Sequence, residues 1–230
     1  MDWELWTEPF AILRQQWRTV AYDHRGSGAT LAPVASITAE QLVDDLFAVL
    51  DAYGIDHCVL AAESAGALTA LSAALAQPAR IRGVALVGSM SYRPPQPEGD
   101  RFLLGLQNAY PATLDRFVEA CLPTANSDHI KRWGRQIVNR ASQEDAIALY
   151  HTASSVDLRK ELPRIAQPTL IIHGEADAIV PVAAAQLLAQ SLPNAKFITL
   201  PDAGHVPTLT HAQVIAQEIT NFFPLPLMIG

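Results

Sequence analysis

Apolar positions along this chain follow two rhythms: some recur every third or fourth residue, and others form short unbroken runs. Trp6, Phe10, Leu13 and Trp17 fall at helical spacing, with Pro9 suited to a first turn. Residues 19–22 read as a short buried strand. Thr38 and Gln41 have the spacing of a capping box for a helix carrying Leu42, Leu46, Val49, Leu50 and Tyr53. Gly54 is the stop signal of that helix. Residues 57–62 form the next apolar run, 65–76 a helix closed by Pro78, and 83–88 another strand. Helix and strand thus alternate, as in a mainly parallel sheet with flanking helices.

The rhythm changes at residue 91. Residues 92–97, rich in proline, read as a stiff lead-in, and residues 98–160 have helical periodicity that predicts three or four short helices. Strand-like runs return at 169–172 and 196–200. The fold class predicted is α/β, with a core made of residues 1–90 and 168–230 and a helical cap inserted at 91–167.

Composition narrows the function classes. The chain has 230 residues, half of them hydrophobic and 17% charged, which is enough for one domain with a full core. A net charge of −7 with no basic stripe argues against nucleic acid as a partner. Neither a basic-then-apolar leader nor a long apolar run is present, so secretion and membrane spanning gain no support. Cys58 and Cys121 are too few for a disulfide scaffold; Cys58 reads as a buried thiol and a cytoplasmic location is expected. Whether the chain forms a homo-oligomer is left open.

The chemistry starts at Ala62-Glu63-Ser64-Ala65-Gly66, where an apolar run ends in a serine flanked by small residues and a helix begins. A serine at the apex of so sharp a turn needs small residues two before and two after it. Ala62 and Gly66 supply them as A-x-S-x-G, with alanine where glycine is usual. Asp177 follows the run 169–172, and His205 follows the run 196–200. Each of the three therefore sits at a strand exit, where parallel sheets present their residues to ligands. Singly, they also read as a capping serine, an acidic turn residue and a loop histidine; it is their joint order that points to nucleophile, acid and base.

Taken with Val20-Ala21-Tyr22-Asp23-His24-Arg25-Gly26-Ser27-Gly28, Gly174-Glu175-Ala176-Asp177-Ala178-Ile179-Val180-Pro181 and Ala203-Gly204-His205, this order resembles the α/β-hydrolase superfamily. The likeness is to its small esterase, lactonase and haloperoxidase-like group, over roughly residues 3–223. It implies a serine hydrolase that cleaves a small-molecule carboxylic ester or lactone, with Ser64 as nucleophile, His205 as base and Asp177 as acid. The backbone N–H of Ala65 is the expected oxyanion donor. Glu63, Phe102, Leu106, Trp133, Tyr150 and Val206 are candidate substrate contacts, although for most of the cap residues holding the cap to the core is the favoured reading. A non-hydrolytic ligand-binding or signalling protein on the same scaffold is the alternative.

Other features read as structural. Gly26-Ser27-Gly28 is a turn, Asp44-Asp45 a solvated helix face, and His24 a structural residue. Glu63 reads as a solvated or supporting group. His129, His151, His173 and His211 lack metal-ligand spacing, so neither metal nor cofactor is expected. The resemblance also implies strands ahead of the first helix, ending in a His-Gly turn that completes the oxyanion hole. This sequence opens within that helix. A truncated sequence with weak activity is the favoured expectation, the others being a sheet that closes without the strand or a second chain filling the gap.

Overall fold

The structure is a computed structural model describing residues 2–94, 99–123 and 127–223. In chain order its elements are α1 Thr7–Leu13, α2 Ala39–Ala52, β1 Cys58–Glu63, α3 Gly66–Ala76 and β2 Ile81–Val87. Then come α4 Arg101–Asn108, α5 Tyr110–Cys121, α6 Asp128–Val138 and α7 Gln143–Ser155. The chain closes with β3 Thr169–Gly174, α8 Val182–Ser191, β4 Ala195–Leu200, α9 Pro207–Thr210 and α10 Ala212–Phe222.

The four strands form one sheet in the order β1-β2-β3-β4, with every pairing parallel. Side chains alternate across it. Val84, Leu86 and Ile171 join Leu46, Phe47, Leu71 and Leu188 on one face. Ala85, Val87, Leu170 and Ile172 join Leu13, Ile215, Ile219 and Phe223 on the other. A sheet covered on both faces needs apolar residues at successive positions, so its central strands appear in the sequence as unbroken runs.

Local signals act where they were expected. The Thr38 side chain accepts the Gln41 N–H and caps α2. Gly54, at φ 60°, ends that helix in the left-handed region. Four helices, α4–α7, lie between β2 and β3 and bury their own cluster around Leu106, Leu114, Val118 and Val138. These are the extra helices of the cap. Its two connections to the sheet run side by side, since Tyr92 and Asp157 form an antiparallel bridge. Of the stiff lead-in, residues 95–97 lie outside the described residues.

Residues 19–22 are not a strand. They cross the molecule as irregular chain, because among the described residues the sheet ends at β1 and no strand pairs with them. Their apolar side chains satisfied the pattern of a strand but not its need for a partner. The charged pair on α2 also divides. Asp44 is exposed as expected, whereas Asp45 is partly buried and grips the Arg25 guanidinium through two bonds of 2.6 Å.

Candidate active site

Ser64 occupies the turn from β1 into α3 at φ 53°, one of two non-glycine residues with positive φ among the described residues. Such a conformation costs energy and persists only where its surroundings hold it. Here the Ser64 N–H bonds the Val87 carbonyl at 2.9 Å, and its own carbonyl accepts from Ala67 in the first turn of α3. A methyl placed on Gly66 would sit 3.7 Å from the Ala62 Cβ, an ordinary contact. The Ala62 methyl is therefore uncrowded on the side of Gly66.

Asp177 and His205 come from the exits of β3 and β4. Gly174 lets them approach: a Cβ there would meet the Ala203 and Gly204 carbonyls at 2.2 and 2.3 Å. His205 is fully buried, and its N–H bonds the Cys121 carbonyl at 3.0 Å, fastening its loop to the end of α5. Its Nε2 lies 2.9 Å from Ser64 Oγ and its Nδ1 2.8 Å from Asp177 Oδ2. Ser64, His205 and Asp177 thus form one hydrogen-bonded chain across the carboxyl ends of three strands.

Asp177 is held firmly. Its Oδ1 accepts the N–H groups of Ile179 and Val180 at 2.8 and 2.9 Å. Burial by itself would raise its pKa, but hydrogen bonds from His173 and His205 outweigh burial and keep the carboxyl well below the usual range. His173, fully buried, has Nε2 3.2 Å from Asp177 Oδ2 and 2.8 Å from the Val180 carbonyl. A carbonyl only accepts, so this Nε2 carries its proton and donates to both. The metal-spacing test passed over His173; the signal was its place four residues before Asp177 across a strand exit.

Glu63 is buried rather than solvated, at 9% exposure. Both its carboxyl oxygens receive the Thr208 hydroxyl, at 2.8 and 2.9 Å. Burial pushes its pKa up to about 8, against the pull of those bonds and with added repulsion from Asp177. It therefore ties the strand before the serine to the helix after the histidine.

Phe102, Leu106, Tyr150 and Val206 pack together in the apolar cluster of the cap. Trp133 is half-buried on α6. The main cavity lies elsewhere. It has a volume of about 590 Å³, runs along β1 from Trp17 and Gly54 to Ser64, and is walled opposite by residues 19–22. Ala65 borders it and is exposed at the start of α3, where helix N–H groups point outward. His24 also borders it; burial lowers its pKa. Asp23 instead holds the neighbouring turn, accepting from Trp3 and Ala29, and a Cβ on Gly28 would strike its carboxylate at 2.2 Å. Burial raises the Cys58 thiol to about 11, which makes it a poor nucleophile. Among the described residues no group of His, Cys, Asp and Glu is placed to hold a metal ion, and no helix is long and apolar enough to cross a membrane.

Residues 10–209 match the family described as serine aminopeptidase, S33. The chain belongs to that family. Membership places it among α/β-hydrolases of the serine-hydrolase type. It is 26% identical over 228 residues to a Pseudomonas savastanoi pv. phaseolicola protein named "Putative carbamate hydrolase RutD", covering 94% of this chain and 87% of the relative. The enol-lactonase of Burkholderia xenovorans LB400 superposes with a TM-score of 0.86 at 26% identity, over 96% of this chain and 86% of that one. A thermophilic esterase from Thermogutta terrifontis gives 0.85 at 26%, over 96% and 85%.

Proposed function

We propose that this protein hydrolyses a small carboxylic ester or lactone through an acyl-enzyme, with Ser64 as nucleophile, His205 as base and Asp177 as acid. The observation that carries this reading is the continuous hydrogen-bond chain from Ser64 Oγ through His205 to Asp177. A serine hydroxyl is a weak nucleophile at neutral pH until a base takes its proton as it attacks. His205 Nε2 is within reach of that proton, and the ionised Asp177 fixes the Nδ1–H tautomer and stabilises the imidazolium that forms.

Attack on the carbonyl carbon breaks its π bond and places the electron pair on oxygen. The Ala65 N–H, at the positive end of α3, receives this oxyanion. As the tetrahedral intermediate collapses, His205 returns the proton to the departing alkoxide. Water then repeats the sequence at the acyl-enzyme, releasing the acid and restoring Ser64. Esters and lactones are favoured because structural neighbours at 26% identity include an esterase and an enol-lactonase. Glu63, which lines the cavity reaching Ser64, is the substrate contact proposed, and its substitution is read by the effect on KM.

A fluorophosphonate probe should label the protein once, at Ser64, and hydrolysis of p-nitrophenyl acetate or a γ-lactone should be lost in Ser64→Ala. Labelling that survives this substitution would overturn the assignment. A phenyl carbamate in the same panel tests the chemistry named for the Pseudomonas relative.

A further inference from the structure

Ser64 and His205 reach each other across the sheet. Ser64 follows β1 and His205 follows β4, and both β2 and β3 lie between those strands. Three strand spacings of about 4.8 Å put β1 and β4 about 14 Å apart. The 2.9 Å contact between Ser64 Oγ and His205 Nε2 therefore depends on how the loop after β4 is carried back over the strand ends.

That loop is fastened at several points. Before His205, the Ala203 carbonyl accepts the Ala176 N–H at 3.0 Å. At His205 the backbone N–H bonds the Cys121 carbonyl, and a Cβ on Gly204 would meet that same oxygen at 2.4 Å. Both contacts hold the loop to the β3 exit and to α5, and neither ties it to the strand of the serine. Val206 and Leu209 pack into the cap cluster. Among the described residues, one side chain besides His205 bonds residues 201–211 to β1 or Ser64. It is Thr208, fully buried, whose hydroxyl meets the two Glu63 carboxyl oxygens at 2.8 and 2.9 Å.

This contact closes a ring. From Ser64 Oγ the ring passes to His205, along Val206 and Pro207 to Thr208, across to the Glu63 carboxyl, and back through the peptide bond to Ser64. Pro207 stiffens it by fixing its own φ. A hydrogen bond has a narrow range of length and angle, so it holds a position where an apolar contact would slide. A hydroxyl both donates and accepts, so the bond persists whether or not Glu63 carries a proton. For packing alone an apolar pair would serve at this buried place, without the cost of burying a carboxyl.

We propose that Thr208 is a positioning residue of the reaction: through Glu63 it holds His205 Nε2 at bonding distance from Ser64 Oγ. This role presupposes Ser64 as nucleophile and His205 as base. Without the Thr208 hydroxyl the loop keeps its fastenings to Ala176 and Cys121, and the imidazole pivots about them away from the serine.

The test pairs Thr208→Val, which removes the hydroxyl, with Thr208→Ser, which keeps it. On a p-nitrophenyl ester, Thr208→Val should lower kcat about 10- to 100-fold at unchanged KM, and Thr208→Ser should return kcat close to the parent's. The nitrogen NMR resonance of His205 Nε2 is read in parallel, with Ser64→Ala defining its unbonded position. It should move toward that position in Thr208→Val and stay with the parent in Thr208→Ser. If Thr208→Val fails to fold, Thr208→Cys, similar in size and a weaker hydrogen-bonder, replaces it with the same expectations. A parent-like kcat and resonance in Thr208→Val overturn the proposal. So does an equal loss in Thr208→Ser, which would mark a packing role, or a raised KM at unchanged kcat, which would mark a substrate contact through Glu63. Absence of hydrolysis by the parent defeats the hydrolase reading alone; the resonance still decides whether Thr208 sets the bond between His205 and Ser64.

Discussion

The interior of this small sheet and its β1 edge are covered differently. On the β3–β4 side every residue of β3 is buried, and the loops that follow hold Asp177 and His205 through backbone and side-chain bonds. On the β1 side, the strand leading to Ser64 is only partly covered, and Ala61 in its middle is exposed. The proposed acid thus follows a strand paired on both sides, while Ser64 and the proposed base each follow an edge strand, β1 and β4. Rigidity at the catalytic end of a sheet is therefore not a property of the whole sheet; it follows from which strands have neighbours on both sides.

The largest effects expected are chemical. Ser64→Ala should lower kcat on the order of 10⁴-fold or more, and Asp177→Asn by about 10⁴-fold, because the wrong imidazole tautomer is then held. Steady-state kinetics on a p-nitrophenyl ester measures both.

Stability should separate the interior of the sheet from its β1 edge. Ile171→Ala in the closed region should cost about 2–5 kcal/mol by denaturant unfolding, whereas Leu60→Ala on β1 should cost about 1 kcal/mol. Equal costs would erase the contrast.

Glu63 spans the two regions through Thr208 and gives the comparison a pH dependence. Its carboxyl titrates at about 8 when folded, against about 4.3 in an unfolded chain. A raised acid pKa means the folded state holds its proton while the unfolded state releases it. The stability linked to that proton is complete below about pH 4.3 and is lost progressively as pH rises through about 8. Glu63→Gln removes the linkage, so its advantage over the parent in thermal melts should grow across that window, reaching a few kcal/mol. A constant difference across the window would show that Glu63 does not titrate this way.

The smallest effect concerns His173. His173→Leu deletes one charged hydrogen bond to Asp177, so kcat should fall roughly 10-fold with KM unchanged. A rise in KM instead would mean a general loosening of the loop.

Much of this site was legible in the chain, for local reasons. Small residues around Ser64 suit the sharp turn there, and the unbroken apolar run before Asp177 is demanded by a strand covered on both faces. The Thr38 cap and the Gly54 stop involve contacts within a few residues, so they too were readable. Residues 19–22 show where that reading ends: apolar enough for a strand, they form none, since pairing depends on a neighbour that local pattern does not encode.

By itself, then, the sequence determined the tight turn at Ser64, the cap and stop of α2 and the order of the three proposed catalytic residues, because each follows from backbone geometry over a few positions. Tertiary structure alone decided that His173 donates to Asp177, that Glu63 is buried against Thr208, and that residues 19–22 run as irregular chain. Those outcomes depend on burial and pairing between segments far apart in the chain, where the energy lies in the partner rather than in the residue.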